Sequence, residues 1–389
     1  MNSRSKSILT AAVAIAALVA GDARGRAASP VVGHLYTLNN DVRANAVVVL
    51  DRRADGTLNE SSAPVSTGGL GLTVPAGGDF DAQGAIRIAG RHLLAVNPGS
   101  NSISVFDISE TGALKAVAGS PFASGGSTPL SIAVHGNVVY VANQAVPFAN
   151  PTKSPNITAF RMSNAGQLTP IAGSTIEFSP GQGPGDVEFN SSGTVLAVTA
   201  GFQSSGDLHT YAVQDGGLLK EGPGSPFKAH GVSGTVGFSW ANDGRHVMVS
   251  NFRGSAVTVF SVDPATAAVR PDGMPYPNNQ GASCWTAFAP DGRTLYAANF
   301  VSNSVSAYSV KRDAKLKLLG SAPKRLATGN DSKDLQVSPD GKYLYLVGPV
   351  AREISVFALG KDGSPKEMAQ ANSPFMLKTG QWTTGLALN

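Results

Sequence analysis

One motif written seven times sets what this chain can fold into. A short apolar strand ends in Asn or a small residue, a turn follows, and then come a second alternating strand and a Gly-bearing turn. The copies are LYTLNN from Leu35, LLAVNP from Leu93, VYVANQ from Val139, LAVTAG from Leu196, VMVSNF from Val247, LYAANF from Leu295 and LYLVGP from Leu344. Their anchors, Asn39, Asn97, Asn143, Thr199, Asn251, Asn299 and Gly348, recur at intervals of 46 to 58 residues. That spacing suits a four-stranded propeller blade better than a helical or leucine-rich repeat.

The segments after the anchors, such as SISVFDI from Ser102, AVTVFSV from Ala256, SVSAYSV from Ser304 and EISVFAL from Glu353, alternate with period two and read as half-buried strands. Before the anchors, Asp291-Gly292 and Asp340-Gly341 supply hairpin turns whose residues tolerate positive φ. The fourth strand is the least regular and carries its own echo, Ser120-Pro121-Phe122, Ser225-Pro226-Phe227 and Ser373-Pro374-Phe375. Proline is tolerated on an outer strand because one edge has no partner to lose. The predicted fold is all-β, a seven-bladed β-propeller of four-stranded antiparallel blades. The first blade lacks an inner strand, whereas TTGLALN at 383–389 is an inner strand with no blade after it. The C-terminal strand is therefore predicted to close the ring beside the N-terminal blade. No linker or charge run interrupts the repeats, so residues 29–389 read as a single propeller domain.

Composition narrows the environment and the partners. Arg4 and Lys6 precede an apolar run from Ile8 to Ala20, followed by small residues at Ala20, Ala23 and Ala27. Residues 1–28 thus read as a signal peptide, and the run is too short for a membrane span. Four of the chain's basic residues and one acid fall in that segment, so most of the +4 net charge goes with it. The remainder is close to neutral and has no basic stripe with interleaved aromatics, which argues against nucleic acid. A periplasmic or secreted monomer without a membrane span after cleavage is expected. The lone Cys284 has no partner for a disulfide and reads as a buried thiol.

Propeller loops that enter the inner strands gather at one mouth of the central channel, and binding residues are sought there first. These loops, the strands they enter and the loops between second and third strands on the same face supply Asp81, Gln83, Arg253, Trp285, Lys333, Asp334 and Trp382 as candidate binding residues. Asp186, Glu188 and His230 are the candidate catalytic groups, and His230 is the one histidine expected at the mouth. Overlaying the inner strands puts Arg87, Asp186, Glu188, Asp334 and Gln336 on the channel, either paired or wet, because lone buried charges are costly. No Ser/His/Asp elbow and no histidine metal signature is present, so neither a cofactor nor a bound metal is expected. A calcium ion at the loop carboxylates Asp79, Asp81, Asp186, Asp331 and Asp334 is the weaker alternative to turn-capping. The long loop from Gln144 to Pro155 is either a partial lid or a tolerated insertion.

The run QGAIRIAGRHLLAVNPGSNSISVFDI, with PLSIAVHGNVVYVAN and ASCWTAFAPDGRTLYAANFVSNSVSAYSV, resembles the lactonase-like seven-bladed propeller family. That family, of YVTN-like repeats, includes 6-phosphogluconolactonase and carboxy-muconate cyclase types. The resemblance spans residues 31–389 and implies hydrolysis of a lactone or related cyclic ester. Family members with lactone chemistry place an Arg-His pair after a Gly-Pro entering a middle blade. Here that stretch reads Gly183-Pro184-Gly185-Asp186-Val187-Glu188, without the pair. Two functions follow. One is a secreted lactone hydrolase with Asp186 or Glu188 as base and Lys333, Arg253 or His230 steadying the oxyanion. The other is a noncatalytic propeller that binds a partner protein, glycan or small ligand outside the cytoplasm.

Overall fold

The computed structural model describes residues 28–73, 83–200, 206–228, 234–326, 329–378 and 382–389. Seven antiparallel sheets radiate from one axis, and the described residues contain strands and short 3-10 turns with no α-helix. In six blades the inner, second, third and outer strands follow one another along the chain. Blade one is assembled from both termini. Its inner strand is Thr384–Leu388, paired with Val31–Leu38 through Leu35–Leu388, Tyr36–Ala387 and Leu38–Thr384. The predicted closure is therefore what the chain adopts.

The outer strands are broken in a regular way. Six blades carry two short outer pieces, both paired with the third strand, as with Leu114–Ala116 and Phe122–Ala123 against Ser102–Ile108. Blade six alone keeps one continuous outer strand, Leu316–Pro323. Each break would leave a third-strand amide without a ladder partner. The serine of Ser-Pro-Phe supplies one: Val105, Thr210 and Val356 N–H groups donate to Ser120, Ser225 and Ser373 Oγ at 2.9, 3.0 and 2.9 Å. The echo seen in the sequence is thus a repair of the ladder, because a buried unpaired amide is expensive.

The anchor asparagines hold the ends of the second and third strands together. Asn299 Nδ2 donates to Ser304 and Ser306 Oγ at 3.0 and 2.9 Å, and Asn97 repeats this with Ser102 and Ser104. Between blades, the inner-strand residues Ile86, Ile132, Val187, Phe238, Leu335 and Leu386 form a buried apolar layer. Its hydrophobic burial is the main adhesive of the ring. The Gln144–Pro155 loop folds back on its own blade: Ala145 and Val146 N–H groups donate to Ser127 O and Thr128 Oγ1.

Candidate functional site

Every inner strand turns alternate residues toward the axis. The layer nearest the entering loops holds Ala85, Ser131, Asp186, Gly237, Trp285, Asp334 and Gly385. One step deeper lie Arg87, Ala133, Glu188, Ser239, Ala287, Gln336 and Ala387. Small residues in both layers leave room, and two large side chains take it.

Gln83 and Trp285 close the upper layer. Gln83, entering blade two, reaches the far side of the ring, where Nε2 donates to Phe238 O at 2.5 Å and Oε1 accepts from Thr286 N–H at 3.0 Å. The buried Trp285 indole lies over Gly237, with Cε3 2.4 Å from where a Cβ would stand. Both residues were expected as ligand contacts; both are buried and packed into the floor of the mouth.

The two axial aspartates make one motif twice. Asp186 Oδ1 accepts from Val187 N–H at 2.9 Å and Ser131 Oγ at 2.8 Å, while Oδ2 accepts from Phe238 N–H of the next blade at 3.3 Å. Asp334 accepts in the same way from Leu335 N–H at 2.8 Å and Leu386 N–H of the next blade at 2.9 Å. Each carboxylate ties adjacent inner strands, and both are fully buried. Burial pushes the Asp186 carboxyl up to about 7; Arg87 opposes that rise and Glu188 adds to it.

Glu188 and Arg87 differ because their side chains stay partly exposed, at 27% and 22%. Their ion pair spans 3.6 Å from blade four to blade two, past Ala133 of the blade between. Arg87 Nε donates to Ile132 O at 3.1 Å, and buried Nη2 has no hydrogen-bond partner. Enclosure raises the Glu188 pKa above the ordinary carboxylate value, against the pull of Arg87. The pair therefore joins a partly exposed carboxylate to a partly exposed guanidinium. Arg87 was legible only as a channel-lining charge, since nothing local in the sequence places it beside Glu188.

Around the mouth, Lys333 Nζ lies 4.2 Å from the centre of the Phe300 ring, and that ring is 6.1 Å from Phe252. Arg253 is exposed and Trp382 half-buried. Asp79, Asp81 and His230 lie outside the described residues, as does the 1–27 segment. His34, His92, His209 and His246 sit on second or third strands beside Asp51, Asp107, Glu221 and Asp243. Among the described residues no His, Cys, Asp and Glu group is arranged to hold a metal ion. No described helix is long and apolar enough to cross a membrane.

The sequence pattern of the family described as "Lactonase, 7-bladed beta-propeller" matches residues 29–150 and 278–374, just over half of the chain. A candidate 6-phosphogluconolactonase from Bacteroides fragilis superposes with a TM-score of 0.70 at 17% identity, over 92% of this chain and 98% of that one. The periplasmic gluconolactonase of Pseudomonas aeruginosa gives a TM-score of 0.71 at 16% identity, over 92% and 98%. A Lactobacillus plantarum protein gives 0.71 at 16%, over 92% and 99%. Comparison with curated protein sequences gives no match. With its seven blades, its terminal closure and a matching pattern over more than half its length, the chain belongs to the lactonase family of seven-bladed β-propellers.

Proposed function

We propose that this protein opens a lactone or related cyclic ester in the propeller channel, with Glu188 as general base and Arg87 as the donor to the developing oxyanion. The observation that carries this reading is the Arg87–Glu188 pair, a partly exposed carboxylate 3.6 Å from Nη1 of a guanidinium that is itself partly exposed. Glu188 takes a proton from water as the water oxygen attacks the ester carbonyl. Arg87 holds the oxyanion, the ring C–O bond breaks, and the alkoxide recovers the proton from Glu188. The ring meets Glu188 in the channel beneath the Gln83–Trp285 floor, while Phe252, Phe300, Lys333, Arg253 and Trp382 line the mouth above it. Asp186 keeps a positioning role, because its oxygens are engaged by Ser131 and two backbone amides. The basic–apolar–small N-terminus and the periplasmic neighbour support a place in the periplasm or outside the cell.

Purified protein is expected to open gluconolactone, or a member of an aliphatic lactone panel, with saturable kinetics. Glu188→Gln is expected to lower kcat by about 100-fold or more. Activity should rise with pH through an inflection above the ordinary carboxylate range, because the base works deprotonated and its pKa is raised. Unchanged kcat in Glu188→Gln would remove Glu188 from the mechanism. The Gln83–Trp285 floor across the axis favours a second reading, a noncatalytic propeller that binds a glycan or small ligand on its mouth. Saturable binding of gluconolactone without turnover would establish that reading instead.

A further inference from the structure

At the junction of blades six and seven the repeat breaks its own rule. One blade earlier, Asn278 Nδ2 bridges Ser283 Oγ and the anchor Asn299 Oδ1 at 2.9 and 2.7 Å. In the next blade the corresponding positions hold Lys324 and Gly348, and Glu353 stands where Ser304 stood. The anchor must be glycine here: a Cβ at 348 would fall 2.6 Å from Glu353 Cγ and 2.8 Å from Lys324 Nζ. A neutral amide pair is replaced here by a buried charged cluster, with Lys324, Gly348 and Glu353 at the three corresponding positions.

The cluster is buried and close-packed. Side chains of Lys324, Asp331 and Glu353 have no solvent exposure. Lys324 Nζ donates to Glu353 Oε1 at 2.7 Å, to Asp331 Oδ2 at 3.0 Å and to Asp331 O at 2.9 Å. Val350 N–H donates to Asp331 Oδ1 at 2.6 Å, and Ala351 N–H to Oδ2 at 3.1 Å. Ser355 Oγ donates to Glu353 Oε1, and buried Glu353 Oε2 has no partner. Two carboxyl groups face one amine, so full ionisation would strand a negative charge. Burial raises both carboxyl pKa values, with Lys324 opposing, which favours keeping a proton in the cluster.

We propose that Lys324 and Asp331 condense into an intramolecular amide, with Glu353 carrying the proton. Glu353 accepts a proton from the Lys324 ammonium, and the freed Nζ lone pair attacks Cγ of the protonated Asp331 carboxyl. The amides of Val350 and Ala351 already point at the oxygens on which charge develops. Glu353 returns that proton to the departing hydroxyl and then takes the second proton from the nitrogen; one N–C bond replaces one C–O bond, water leaves, and Glu353 ends protonated. Nothing is oxidised or reduced and no co-reactant is consumed. Contact geometry and full burial supply what the same pair lacks in solution. The product would tether the end of the blade-six outer strand to the segment entering blade seven.

Tryptic mass spectrometry of the purified full chain decides the matter. The linked protein is expected to resist cleavage after Lys324 and to yield residues 318–325 joined to 326–333, lighter by one water than the two peptides together. Tandem fragmentation should place the branch between Lys324 and Asp331. Glu353→Gln is expected to lower the linked fraction by about tenfold or more. Normal cleavage after Lys324 with both peptides at their full masses would overturn the proposal. So would a water loss that leaves this cleavage intact and reverses in mild base, because that marks a succinimide. An undiminished linked fraction in Glu353→Gln would remove Glu353 as proton carrier.

Discussion

At the scale of single residues, the axis is where tolerance is smallest. A methyl group on Gly237 would stand 2.4 Å from Trp285 Cε3 and 2.5 Å from Gln83 Oε1, and both neighbours are themselves fixed. Gly237→Ala is expected to cost about 1–3 kcal/mol through overpacking, read from denaturant unfolding; wild-type stability would mean the floor is soft. Asp186 has a testable pH signature. Its folded pKa is raised to about 7, so the folded state keeps a proton that the unfolded chain releases near pH ~4. Its contribution to stability is therefore complete below that lower value and falls away as pH rises toward 7. Asp186→Asn is expected to remove this decline from the difference between wild-type and variant stability curves; an identical slope would contradict the assignment. The sequence marked Asp186 and Glu188 equally as channel charges. Their roles separate only in space, where Asp186 meets the amide of a neighbouring blade and Glu188 meets Arg87.

At the scale of elements, a recurring tyrosine shows how blades lock. Tyr140 OH donates to Gly217 O at 2.7 Å, Tyr296 OH to Gly363 O at 2.9 Å and Tyr345 OH to Gly56 O at 3.3 Å. In each case a second strand reaches the outer hairpin of the following blade. Burial raises these phenols well above the ordinary tyrosine range, with Tyr296 pushed up to about 12, so they remain donors at all physiological pH values. Tyr140→Phe keeps the ring and strips the donor, leaving Gly217 O to find another partner. An expected loss of about 1–2 kcal/mol follows, measurable by thermal or denaturant unfolding. No loss would show that solvent replaces the bond. The tyrosines are visible as a repeat, as are the Ser-Pro-Phe echoes. Their partners are not, because 77 residues separate Tyr140 from Gly217.

At the scale of the whole molecule, the ring depends on its last strand. Beyond the ladder to Val31–Leu38, Thr383 Oγ1 lies 2.9 Å from Thr37 Oγ1, and Arg52 Nη2 donates to Asn389 O at 2.8 Å. Asp334 also loses its cross-blade amide if Leu386 goes. Deleting residues 383–389 is expected to abolish the single cooperative melt, and an unchanged transition would reject the closure. Blade number, strand order and terminal closure were determined by the sequence alone. They rest on period-two alternation, turn residues and a spare inner strand, all of which are local or counted along the chain. Tertiary structure alone decided which partners these polar residues meet. Gln83 finds Phe238 and Thr286 across the ring, Arg87 finds Glu188 past an intervening blade, and Lys324 finds Glu353 over a missing asparagine. Closure of a torus brings together side chains whose proximity no local pattern encodes, and proximity is what turns a charge into a tie, a base or a nucleophile.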